Sequence, residues 1–413
     1  MKKQYLKYQI SVLIGTYLLY TTYTLVRNSF NASTAYLDLN ADQVGSILAA
    51  IAISYGISRP ITGFLADKFS PRIFITLGLI ASSIITFGFA WSQNITGLYI
   101  IIATLSGVFQ SIGSPTSQKI LAQWFPKNRR GTIIGIWSTS KDFGKVIIAA
   151  TVLLCTTFFG ATSQAAHSIF ILVALIGILI AAISFIIIQN SPQDVKLPAL
   201  NEHKQIKQNL WQNSKNHVLK NKAVWFLCLA GASSYCATVG MQSWIPMLLQ
   251  NDKGFSKADA TIAYGLFSAG AIPAVLILCF ISDAVLKGKR VKLILSALIL
   301  VFAMVIIYWL SDNPNIIRLS IMLCGALFMG VGGLGVALTV DAVPPFALGT
   351  AGGLIGFFEY ILGTVLGTKL IGYLINQTNN WSIGFAVILS AIFLEFLCFL
   401  GLLGVEKTNY GIK

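Results

Sequence analysis

"GFLADKFSPR", residues 63–72, closes one long apolar run and opens the next, with Asp67 and Arg72 set on either side of the turn. A variant, "CFISDAVLKGKR" at 279–290, occupies the corresponding place in the second half of the chain, with Asp283 falling 216 residues after Asp67. Each loop follows an apolar run of about 20 residues, enough to cross roughly 30 Å of hydrocarbon as a helix. A loop that returns at about half the chain length, between runs in matching order, is the mark of a duplicated helical unit.

Working outward from these loops, apolar runs are found at 9–37, 43–66, 72–92, 96–122, 131–159, 166–189, 223–250, 257–283, 291–310, 315–340, 347–375 and 382–404. The composition agrees: 413 residues, 55% hydrophobic and 10% charged, with mean hydropathy +0.76. Such values lie outside those of soluble domains. No alternating ten-residue pattern of a membrane barrel competes. The expectation is an all-α membrane protein of twelve transmembrane helices in two pseudo-symmetric six-helix bundles, 1–189 and 223–413. A linker at 190–222, rich in Asn, Gln and Lys, joins them.

The net charge of +15 does not imply nucleic acid, because the basic residues gather in alternate loops. These are Lys2, Lys3 and Lys7; Lys68 and Arg72; Lys127, Arg129 and Arg130; Lys196 to Lys222; Lys287 to Lys292; and Lys407 and Lys413. The positive-inside rule then places both termini and the linker in the cytoplasm, the chain being a multi-pass protein of the inner membrane. The first apolar run is too long for a cleaved signal peptide. All six cysteines fall within predicted helices, where they act as small apolar residues; neither a disulfide framework nor ligand-spaced pairs are legible. No metal or cofactor is expected. An enzyme is disfavoured as well, since no nucleophile stands with a base and His167, His203 and His217 lie in loops or at helix ends.

Twelve helices, a polar central loop and the pattern G-x-L-A-D-x-x-x-x-R resemble the major facilitator superfamily of secondary transporters. The stretches "YTLVRNSFNAS", "SYGISRPITGFLADKFSPRIFITLGLI", "FQSIGSPTSQKILAQWFPKNRRG" and "IWSTSKDFG" further resemble its organophosphate:phosphate antiporter family, as does "YGLFSAGAIPAVLILCFISDAVLKGKR". The likeness covers nearly the whole chain. It implies the major facilitator fold, a midplane site opened alternately to each side, and import of a phosphorylated metabolite against inorganic phosphate.

Arg27 is the one charge between Tyr8 and Leu37. A charge at the bilayer centre costs about 2.5–3.5 kcal/mol on insertion scales, so it persists where it faces a cavity and meets a partner. A guanidinium fork suits a phosphate or carboxylate. By hydropathy alone Arg27 could also slide to the outer headgroups; the resemblance implies that it binds the substrate anion. Arg59 matches a family lysine that draws anions inward, the alternative being a headgroup anchor. Lys141 stands where the family usually has a substrate-contacting histidine, so a histidine switch is absent there. Asp142 can pair with Lys145 three residues on, a structural role, or take part in coupling.

Two departures concern the second half. The register of Tyr235, Gly240 and Trp244 puts Thr238 where the family carries a second substrate arginine, breaking a two-arginine clamp. Glu359 occupies a place where the family has a small residue, and reads as a proton-coupling group or a partner for a cation. Glu395 reads as peripheral. The aromatic residues Tyr20, Tyr23, Tyr55, Trp137, Tyr235 and Tyr360, with Gln110, are candidates for reading substrate hydroxyls, each with packing as its alternative. Asp67, Arg72, Asp283 and Asp341 are candidate gate residues. Glycine-rich runs such as "GTAGGLIGFFEYILGTVLG" lie inside apolar helices and permit close helix approach; they are not nucleotide loops.

The function expected is alternating-access transport of a small organic anion, exchanged for phosphate. The alternatives are a proton-coupled symporter of a carboxylate and a membrane sugar-phosphate sensor. The expected partners are the anion, phosphate or a proton as coupling species, and the lipid bilayer, with the chain acting as a monomer.

Overall fold

The computed structural model describes residues 2–92, 95–160, 162–199, 210–287, 289–378 and 380–409, and helix dominates them, with no strand among the described residues. The helices are α1 (Lys2–Ser33), α2 (Ala41–Lys68), α3 (Pro71–Trp91), α4 (Thr96–Trp124), α5 (Lys127–Phe159) and α6 (Ser163–Ile187). After them come α7 (Lys222–Asn251), α8 (Lys257–Ala269 and Ala271–Ala284), α9 (Arg290–Leu310), α10 (Pro314–Ala342), α11 (Pro345–Thr378) and α12 (Trp381–Asn409). The expected linker falls partly on 200–209, outside the described residues; a short helix, Leu210–Ser214, follows.

Stretches of α2 to α12 are long and apolar enough to cross a membrane. α1 is the twelfth, and its polar residues hide themselves. The hydroxyls of Thr16, Thr22, Thr24 and Ser29 donate back to the carbonyls of Val12, Leu18, Tyr20 and Val26, and the Asn28 amide does so to Thr24. A polar side chain bonded to its own helix needs no water. The expected border at 37 is corrected. α1 ends at Ser33 in a short Thr34–Tyr36 turn, because Asn40 and Gln43 cap each other across the start of α2 and fix where the next helix begins.

By packing the chain forms two units, neither contiguous in sequence. Unit 1 is Met1–Pro126, Trp137–Ser214 and Pro344–Gly353; unit 2 is Lys127–Ile136, Lys215–Val343 and Leu354–Lys413. In unit 1, α2 packs on α4, α3 on α6, and α1 on α5 and α6; in unit 2, α7 packs on α12 and α8 and α9 on α10. Lipid tails are as apolar as leucine, so close backbone approach at small residues, rather than exclusion of water, holds such helices together. A Cβ at Gly107 of α4 would overlap Ser54 of α2, and one at Gly325 of α10 would overlap the Phe267 backbone of α8. By contrast, nothing lies within 4 Å of a Cβ at Gly97 or Gly335.

Gly107→Ala and Gly325→Ala are expected to lower the unfolding temperature of the detergent-solubilised protein by the equivalent of about 1–3 kcal/mol of overpacking. Gly335→Ala should leave it within about 0.5 kcal/mol. Equal shifts at all three positions would show that these approaches do not hold the units.

Candidate functional site

Unit 1 gathers the candidate cations around one ring. Tyr55 of α2, about one helical turn before the buried Arg59, is itself buried. The Arg27 guanidinium of α1 lies 4.0 Å from the centre of that ring, and Arg59 lies 5.6 Å from it. The charge of Lys141 on α5 also reaches the Tyr55 hydroxyl. Arg27 Nε donates to Gln110 Oε1 at 2.9 Å, and the Gln110 amide is in turn held by Ser106 Oγ at 3.1 Å. The ring face stabilises the guanidinium and the glutamine fixes its rotation. Three cations within reach of one phenol repel one another in a medium of low dielectric, and a multivalent anion relieves that repulsion.

The structure brings Arg27, Tyr55, Arg59 and Gln110 together, with Lys141 near enough for its charge to act on Tyr55, and it buries two other candidates. Tyr23 is wholly buried with its hydroxyl donated to Ile75 O at 2.8 Å. Trp137 is wholly buried too, its ring 4.6 Å from that of Tyr20. Asp142 pairs with Lys145 at 3.0 Å on a partly exposed face.

In unit 2, the Tyr235 and Tyr360 rings are 5.3 Å apart, and Thr238 is buried on the same helix as Tyr235. Glu359 opens a π-helical segment, Phe358–Thr364, and a Cβ at Gly231 would fall 3.1 Å from its Cγ. A π segment inside a helix re-aims side chains and is often found at functional sites.

Two matching latches occupy the repeated loops. Asp67 accepts from Gly349 N at 3.0 Å and from Thr350 N and Oγ1, both at 2.7 Å, where α11 begins, with Lys119 Nζ at 3.5 Å. Asp283 accepts from Thr132 N at 2.6 Å and Oγ1 at 3.0 Å near the start of α5, and from Arg290 at 2.9 Å. A carboxylate at the positive end of a helix satisfies amides that lack an intrahelical partner. Arg290 and Arg130 both pair with Asp341, at 2.6 and 3.1 Å. Above Asp67, Arg59 donates to Gly352 O at 3.2 Å. Here α2 and α11 nearly touch: a Cβ at Gly63 would overlap Gly349 O, and one at Gly353 would overlap Arg59 O. Arg72 lies elsewhere: it donates to Phe185 O at 2.6 Å and Gln189 Oε1 at 3.3 Å at the end of α6, where a cation meets free carbonyls.

Sequence reasoning passed over Lys119, Thr132, Thr350 and Gly352. A legible signal existed for Lys119, a lysine inside the apolar run of α4. The threonines carried none until their helix starts were seen.

The model of the Major Facilitator Superfamily matches residues 9–368. The chain is 32% identical to the phosphoglycerate transporter protein of Salmonella typhimurium, over 94% of this chain and 87% of that one. To the hexose-6-phosphate:phosphate antiporter of Escherichia coli K12 it is 28% identical, over 94% and 87%. The solved E. coli fucose:proton symporter is similar in fold, with a TM-score of 0.74 at 14% identity over 94% of this chain and 97% of that one. The chain belongs to the major facilitator superfamily and, within it, to the organophosphate:phosphate antiporter family.

Asp67→Asn leaves Lys119 buried beside a neutral amide and weakens the cap on α11. Removing one member of a buried pair costs about 3–5 kcal/mol, so a marked fall in thermal stability is expected, against less than about 1 kcal/mol for Asp142→Asn at its exposed pair. Equal losses would contradict the latch.

Proposed function

We propose that this chain is a secondary transporter that exchanges a small phosphorylated organic anion for inorganic phosphate by alternating access. The observation that carries the reading is the set of Arg27, Arg59 and Lys141 around Tyr55, with Gln110 fixing Arg27. Arg27 takes the phosphoryl group in its fork, Lys141 adds charge, and Tyr55 and Gln110 keep the fork aimed. Phosphate shares that group with an organophosphate, so one subsite serves both exchange partners.

Arg59 ties this subsite to the latch. In the state described it donates to Gly352 O; an anion at Arg27 competes for it and loosens the approach of α2 to α11. Asp67 gates unit 1, and Asp283 with Asp341 gates unit 2; both termini face the cytoplasm. Arg72 steadies the turn after Asp67 by holding the end of α6. In unit 2, Tyr235, Thr238 and Tyr360 read the organic part of the substrate. The protein acts as a monomer in the inner membrane.

One observation favours a second reading. Unit 2 presents Thr238 and, in a π-helical segment, Glu359, in place of a second cation. This suits proton-coupled symport of a carboxylate, with Glu359 as the coupling group and Asp142 beside Lys141 as a lesser candidate.

Proteoliposomes loaded with inorganic phosphate separate the two. Antiport predicts exchange of labelled phosphate without any proton gradient, reduced at least about tenfold in Arg27→Lys by the loss of one bidentate contact. No exchange, together with carboxylate uptake that needs a proton gradient and fails uphill in Glu359→Gln, would replace the first reading with the second.

A further inference from the structure

Between Trp381 and Leu403, α12 carries one acidic or basic residue, Glu395. It lies about 21 Å along the helix from Trp381, at about 1.5 Å per residue, inside hydrocarbon depth. The residue is 1% exposed. Ser234 of α7 hydrogen-bonds the carboxyl, while Oε2 has no partner among the described residues.

The helices packed on α12 are α7, α9 and the last turns of α11. Between Lys222 and Asn251, α7 has no acidic or basic residue; of its titratable groups, Cys228 and Cys236 are buried, and the Tyr235 ring lies 5.3 Å from that of Tyr360. Between Lys292 and Leu310, α9 offers Tyr308, whose ring meets Phe385. On α11, Lys369 and Tyr373 are exposed. On α12 itself the neighbour one turn on is the buried Cys398. No ion pair of Glu395 occurs among the described residues.

An ionised carboxylate in this place would lose its hydration with one hydroxyl as compensation, whereas the neutral acid is tolerated. A glutamine of the same size would join α7 to α12 equally well. What a glutamate adds is the capacity to hold and release a proton.

We propose that Glu395 is a proton-binding site of unit 2, filled while α7 and α12 are packed and emptied when water enters their seam. In the step, the carboxylic O–H bond breaks, the proton passes to water as hydronium, and the carboxylate remains, hydrated. Packing and proton binding favour each other reciprocally, so acidification favours the packed seam. Ser234 adjoins Tyr235 on α7, so the movement that wets Glu395 also re-aims Tyr235 and Thr238. A proton-linked step thereby accompanies anion exchange; this last link rests on the transport reading, while the protonation does not.

Difference infrared spectra of the full-length protein in lipid, taken with and without inorganic phosphate and across a pH series, test both. The wild type should show a carboxylic-acid carbonyl band that changes with pH and with phosphate, absent in Glu395→Gln and kept in Glu359→Gln. Phosphate exchange in proteoliposomes should vary with pH by up to about tenfold per unit, the limit for one proton, and Glu395→Gln should flatten that profile. A band unchanged in Glu395→Gln, or one in the wild type that neither pH nor phosphate moves, overturns the proposal and leaves Glu395 a permanently neutral packing group. Should Glu395→Gln not fold, Ser234→Ala decides: the band must shift, and an unmoved band overturns the assignment. A titrating Glu395 band in a protein that exchanges no phosphate would remove the transport reading and keep the proton site.

Discussion

A charge inside about 30 Å of hydrocarbon must be partnered, and the partners it takes determine the architecture around it. Here the rule acts at two depths. Within unit 1, Arg27 and Arg59 both lie against the ring of Tyr55, and Arg27 bonds Gln110. At the repeated loops, Asp67 and Asp283 bind the starts of α11 and α5 and one cation each, Lys119 and Arg290. The remaining helices, apart from Glu395 of α12, are apolar between their ends and approach one another closely.

The latches are alike in logic and unlike in parts. Each uses an aspartate, a threonine whose amide and hydroxyl it accepts from near a helix start, and a basic residue, so the duplication seen in sequence has preserved this interaction. Unit 1 neutralises its aspartate with Lys119, buried on α4. Unit 2 uses a four-member set, Arg130, Asp341, Arg290 and Asp283, in which two positive and two negative charges balance. Buried sets of this kind contribute less to net stability than to fixing one arrangement against others. Such an arrangement is what a carrier with two discrete states requires.

The helices were legible because hydropathy and loop charge carry them directly; their borders moved where the Asn40 cap overrode composition and where α1 and α5 begin ahead of their apolar runs, at Lys2 and Lys127. Arg27 was legible as an isolated charge, and Tyr55 and Gln110 through the family resemblance of the stretches that hold them. That they form one cluster was not, because periodicity gives the face of a helix and not the rotation of its neighbour. Tyr23 shows the same limit from the other side: a candidate for reading substrate hydroxyls, it donates its own hydroxyl to Ile75 O. Thr132, Thr350 and Ser234 acquire meaning only through what sits across from them, and the π-helical turn at Glu359 leaves no trace in a pattern of apolar residues.

The central claim is that an anion is bound by the Arg27 fork. Equilibrium binding of labelled inorganic phosphate to the purified protein, wild type against Arg27→Lys, tests it without any transport step. The account predicts saturable binding to one site per chain, weakened at least about tenfold by a change that keeps the charge and loses the fork. Equal binding by the two proteins, or none by the wild type, would contradict it.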